Sequence, residues 1–154
     1  MEIQMNMIQI QQKFNAPVAI VFELLAKHET YNQIFKPIKL VKIQDSVDLS
    51  RPDGIESIRK VLLGPISLLK EQITFLEENK RIEYQIIKNP LVKYHLGRID
   101  FEVLSEKATL VIYTIELKTY IPFLTKILLA QLKSAIKLGL SKLAKTVEVK
   151  LENE

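Results

Sequence analysis

PFLTKILLAQLKSAIKLGLSKLAKTV, residues 122–147, decides how the rest of the chain is arranged. The stretch holds no acidic residue, and Pro122 stands in a first turn, where the missing N–H costs nothing. Leu128, Leu132, Ala135 or Ile136, Gly139, Leu143 and Val147 recur at steps of three and four. That is one apolar face of a single long helix. At about 1.5 Å per residue it spans roughly 40 Å, enough to cross a small sheet. Gly139, mid-stripe, costs about 1 kcal/mol of helix stability against alanine and leaves volume beneath the helix. The helix is expected to close an apolar chamber made by the strands before it, with Leu132, Ile136, Gly139 and Leu143 facing the contents. A hydrophobic small molecule is the ligand class this implies.

Composition narrows the alternatives. At 154 residues a single domain, 1–154, is expected, long enough for one core without disulfide or metal staples. The absence of cysteine removes thiol nucleophiles, thiolate metal sites and disulfides, and fits a cytoplasmic protein. The N-terminus shows no signal-peptide pattern, and no apolar run reaches membrane-span length. Five lysines between Pro122 and Lys145 exceed the whole chain's net charge of +4, so the basic character belongs to the last helix. A solvated outer face is the plain reading. A face that meets anionic membrane or an acidic partner peripherally is the sharper one. Nucleic acid is not expected, because arginine clusters and basic–aromatic interleaving are missing. The oligomeric state is left open.

Taken in order, Glu2 to Phe14 reads as a strand with a phase change after Met7 that suggests a bulge or an early start outside the sheet. Asn15-Ala16-Pro17 opens a short helix with Val18, Val21, Phe22 and Leu25 on its buried face. A second short helix, His28 to Phe35, ends before Pro37, and His28 is expected at the surface. Strands follow at 38–44, 55–63, 66–76, 81–88, 91–104 and 108–118, joined by short polar turns. Such a meander is antiparallel and needs one face covered. The result is an α+β, helix-grip arrangement: about seven curved strands, two short helices after the first strand, and a long C-terminal helix.

Alternation assigns the inward faces. Ile82, Tyr84 and Ile86 share one; so do Val111, Tyr113, Ile115 and Leu117; His95, Gly97, Ile99, Phe101 and Val103; and Leu69, Glu71, Ile73 and Phe75. Four polar groups interrupt these apolar faces: Glu71, Tyr84, His95 and Tyr113. Burying a carboxylate or imidazole is costly without a partner, and few polar groups in an apolar enclosure are the pattern of a ligand pocket. Each also has a structural explanation. The tyrosines can be core residues with hydroxyls at the rim, His95 a hydrogen-bonded strand residue, and Glu71 the partner of Arg59 or Lys60 in a cross-strand ion pair. No phosphate-binding loop, nucleophile elbow or metal-ligand spacing occurs, so no metal or cofactor is expected. Any chemistry falls to acid–base work by Glu71, His95 and the two tyrosines.

Several local patterns resemble the SRPBCC/START/birch-pollen-allergen superfamily, in particular its polyketide cyclase/dehydrase-like branch. They are Phe14 to Leu25 with Ala16-Pro17 and Val21-Phe22, Gly54 to Val61 with Arg59 and Val61, LKEQI at 69–73 followed by RIEY at 81–84, and LGRIDF at 96–101 before the closing helix. The resemblance implies a helix-grip fold around a hydrophobic cavity. It also implies binding, carriage or sensing of a lipid, polyketide or similar molecule, or cyclase/dehydratase chemistry. Glu71 matches a cavity-facing glutamate of the plant hormone receptors, and Tyr94-His95 falls where relatives place polar ligand contacts. The family's tryptophan after the second helix is missing, as are the hormone receptors' gate-loop motifs. YNQIFKP at 31–37 is similar to the coenzyme-Q-binding branch, which implies a membrane-associated lipid or quinone chaperone as a third reading.

Overall fold

The computed structural model describes residues 6–154. Strand β1 (Asn6–Phe14) is followed by helices α1 (Val18–Leu25) and α2 (His28–Ile34). Six strands come next: β2 (Ile38–Gln44), β3 (Ile58–Leu63), β4 (Ile66–Glu77), β5 (Arg81–Ile87), β6 (Val92–Ser105) and β7 (Ala108–Thr119). Helix α3 (Pro122–Glu152) ends the chain. The seven strands form one antiparallel sheet in the order β1-β7-β6-β5-β4-β3-β2. This is the helix-grip arrangement expected from the meander.

Register decides which side chains face α3. β1 pairs with β7 without interruption from Asn6 to Phe14, so the expected bulge is absent there, and Met7 points to solvent. Residues 2–5 of the expected strand lie outside the described part. β4 departs from plain alternation: the register with β5 shifts between Ile73 and Phe75, leaving Thr74 as an extra residue. Ile73 stays inward opposite Tyr84, but Phe75 turns outward and Leu76 takes the inward position opposite Ile82. Val103, expected inward, is exposed near the end of β6, where the register with β7 slips. β3 starts at Ile58 rather than Ile55, because Glu56 adopts a left-handed backbone (φ 71°) inside the preceding turn.

α3 lies across β1 and β7 and touches α2. Its start is pinned by Thr125, whose hydroxyl accepts the Thr119 N–H at 3.0 Å and shares a 2.7 Å hydrogen bond with the Thr119 hydroxyl. Leu129, Ile136, Leu140, Leu143 and Val147 are buried, and the five lysines point to solvent. Toward Val147 the space under α3 is solid. Phe14, Phe22, Ile99 and Leu140 are fully enclosed, and Phe22 meets Phe101 edge-on at 5.2 Å.

Candidate functional site

Toward the N-terminal half of α3 the packing opens into a cavity of about 150 Å³. Its apolar walls are Phe35, Ile38 and Leu40 on one side and Leu132, Ala135 and Ile136 of α3 on the other. At its polar end stand Arg59, Glu71, Tyr31, Tyr84 and Tyr113.

Sheet register builds that polar end. Arg59 and Glu71 are direct cross-strand neighbours on β3 and β4. Arg59 donates from Nε at 2.8 Å and from Nη2 at 2.7 Å, both to Glu71 Oε2. The guanidinium carbon also lies 5.1 Å from the Tyr31 ring centre and 4.9 Å from that of Tyr84. Arg59 is only 3% exposed, so its charge is sustained by these partners rather than by water. Burial works against that charge, yet Glu71 and the surrounding tyrosines outweigh it and hold the group more firmly protonated than usual.

Tyr84 is the hinge of the arrangement. It sits opposite Gly97 on β6, and a Cβ on Gly97 would collide with the Tyr84 ring. The glycine lets the ring lie across β6, where its hydroxyl forms a short hydrogen bond with the Tyr113 hydroxyl. Tyr31 donates its hydroxyl to the Leu25 carbonyl at 2.7 Å. Burial raises all three phenols, Tyr31 to about 12, with Glu71 adding to the effect. At neutral pH the site therefore presents neutral hydroxyl donors beside a buried cation and its carboxylate.

Of the residues singled out from sequence, Glu71, Tyr84, Tyr113, Leu132 and Ile136 border this cavity. His95, Gly139 and Leu143 do not. His95 is packed beside Tyr84 at 5.5 Å between ring centres, and its Nδ1 accepts the Ile86 N–H at 3.0 Å. Burial lowers its pKa against the pull of Glu71, so the ring is neutral with one nitrogen committed to the backbone. Gly139 does not open space below α3. Phe35 occupies that space: a Cβ there would lie 2.5 Å from Phe35 Cε1 and 3.1 Å from the Ile34 carbonyl oxygen. Leu143 belongs to the solid half of the core. The pairing of Glu71 with Arg59 is present, and it forms part of the cavity wall.

Sequence reading missed Arg59, Tyr31 and Phe35 as wall residues. For Arg59 the signal was there: it alternates with inward Val61 and faces Glu71 across the hairpin. His28, expected at the surface, is 5% exposed, and neither ring nitrogen has a hydrogen-bond partner among the described residues. Its backbone N–H donates to Asp53 at 3.0 Å, which ties α2 to the loop before β3.

No family model and no curated protein matches the sequence. Solved structures do match. The Zhui aromatase/cyclase of Streptomyces sp. R1128 superposes with a TM-score of 0.78 at 17% identity, over 96% of each chain. A START superfamily protein of Mycobacterium smegmatis gives 0.65 at 16% identity, over 89% of this chain and 98% of that one. Norcoclaurine synthase of Thalictrum flavum gives 0.66 at 15%, over 90% and 92%. These likenesses show that the chain has the helix-grip fold, the fold of the Zhui aromatase/cyclase and of the START superfamily protein.

Proposed function

We propose that the protein binds a small amphipathic molecule whose apolar body fills the cavity under α3 and whose polar group meets Arg59, Tyr84 or Tyr113. The buried Arg59–Glu71 pair at the end of an otherwise apolar cavity carries this reading. Both of the Arg59 bonds to Glu71 use Nε and Nη2, so Nη1 is outside the pairing. A void of about 150 Å³ suits one ring or a short branched chain, since an apolar cavity of about 150 Å³ takes benzene. A carbonyl, phenol or carboxylate at the polar end would satisfy the donors gathered there. Carriage or sensing of such a molecule fits the arrangement, as does the likeness to aromatase/cyclases and norcoclaurine synthase.

Cyclase-type chemistry is a second reading, favoured by the same donors. Neutral phenols and a guanidinium are suited to stabilise a developing oxyanion. The base would have to be Glu71, the carboxylate that borders the cavity.

The test is calorimetric titration with one-ring phenols, benzoates and aryl ketones against plain alkylbenzenes. Oxygenated ligands are expected to bind at least tenfold more tightly than hydrocarbons of equal size. Arg59→Met/Glu71→Leu combined with Tyr84→Phe/Tyr113→Phe should erase that preference. Equal affinity for both classes, or a preference that survives the combined variant, would overturn the assignment of the polar end.

A further inference from the structure

The strand ends beside Ile38, a wall residue of the cavity, differ in character from the rest of the surface. In this antiparallel sheet the β3–β4 turn, the β5–β6 loop and the β7–α3 link lie at one end, next to the start of β2. The Tyr120 N–H donates to the Leu91 carbonyl at 3.1 Å, so the last two segments are joined. Large apolar side chains stand exposed at their tips: Ile66 (59%), Leu91 (53%), Tyr120 (65%) and Phe123 (69%). Lys36, Lys88, Lys93 and Lys126 are exposed in the same segments, and the Lys93 ammonium lies 6.0 Å from the Tyr120 ring centre.

Among the described residues acid is nearly missing from this end. Across residues 34–40, 62–72, 85–95 and 116–137 the carboxylates are Glu71, paired with Arg59, and Glu116, which accepts from the Tyr94 hydroxyl. The opposite end is the control. It too exposes apolar residues, Val47, Leu49, Val103 and Leu104, but intersperses them with Asp45, Asp48, Glu102 and Glu106.

We propose that this end docks on the surface of an anionic phospholipid bilayer, with Leu91, Tyr120 and Phe123 entering the headgroup boundary and the surrounding lysines meeting lipid phosphates. Separate loop tips carrying aromatic and aliphatic side chains suit a fluid interface, which conforms to them, better than the fixed relief of a protein. The positive, nearly acid-free rim supplies the attraction to negative headgroups. Among the described residues no helix is long and apolar enough to cross a membrane, so the contact is peripheral. Ile38, a wall residue of the cavity, opens β2 at this same end of the sheet.

The experiment is flotation with vesicles of phosphatidylcholine containing about a third phosphatidylglycerol, against pure phosphatidylcholine, at low and high salt. Binding is expected on the anionic vesicles at low salt and should fall at least tenfold at high salt. Tyr120→Asp/Phe123→Asp should weaken it at least tenfold, while Leu49→Asp at the opposite end leaves it unchanged. The chain has no tryptophan, so Phe123→Trp gives a single reporter whose emission should shift to the blue on the vesicles. Absence of binding to anionic vesicles at low salt overturns the proposal; so does equal, salt-insensitive binding to both vesicle types, or undiminished binding of the Tyr120→Asp/Phe123→Asp variant. Ligand titration without vesicles reads the cavity separately, so docking and cavity binding fail independently.

Discussion

Two halves of the space beneath α3 are built on opposite principles. The half near Val147 is filled with Phe14, Phe22, Ile99, Phe101 and Leu140, and its stability comes from excluding water. The half near Leu132 keeps a void and lines one end of it with a buried ion pair and three phenols. Ion pairs of this kind are weak sources of stability, since desolvation offsets most of their attraction. The fold is therefore held by one half, and the other is free to specialise.

Removing the Phe22 ring tests the solid half. Phe22→Ala should cost about 3–5 kcal/mol in denaturant unfolding, because the ring is fully enclosed and the site collapses poorly. A loss below about 1 kcal/mol would mean that the two halves do not differ.

The polar half should respond to how it is broken, more than to whether it is broken. Glu71→Ala strands the Arg59 charge and should cost about 3 kcal/mol, the low end for a broken buried pair. Arg59→Met/Glu71→Leu removes both charges and should bring stability back to within about 1 kcal/mol of the parent. Equal losses in the single and double variants would show that the pair itself holds the fold.

The third test concerns His28, close enough to Arg59 to feel its charge. Burial, then Arg59 and Lys42, lowers its pKa to about 4, against the opposing pull of Asp53. The folded pKa lies below the ordinary 6.5, so the unfolded chain takes up a proton the native state refuses. Stability is full above pH 6.5 and declines as pH falls toward about 4. His28→Gln should flatten that decline in thermal unfolding between pH 7 and 4, where an unchanged slope would remove His28 as its source.

Much of this contrast was legible before the structure. β5 and β7 alternate cleanly, so the inward positions of Tyr84 and Tyr113 follow from period two alone. The spacing of α3 announced its buried face. What was not legible depends on contacts between distant segments. Nothing local marks Thr74 as a bulge, since neither glycine nor proline is present there, and Phe75 was assigned to the wrong face in consequence. The burial of His28 is decided by the 45–57 loop folding back to Asp53. Gly139 reads in isolation as empty volume, and only α2 docking on α3 shows that Phe35 claims it. The pairing of Arg59 with Glu71 was legible across the β3–β4 hairpin, but its contacts with Tyr31 on α2 and Tyr84 on β5 were not.

The extra residue in β4 has a bearing on how this chain tolerates insertions and deletions. Glu71 and Ile73 lie on one side of Thr74, and the hairpin at Glu77–Arg81 lies on the other. Deleting Thr74 would restore strict alternation with Phe75 still opposite Glu83 and Leu76 opposite Ile82, while Glu71 keeps its place opposite Ile86. A one-residue length change in the hairpin can be absorbed at the same point. The bulge thus separates the part of β4 that presents the carboxylate from the part that turns the chain, and each can change length or sequence without inverting the other.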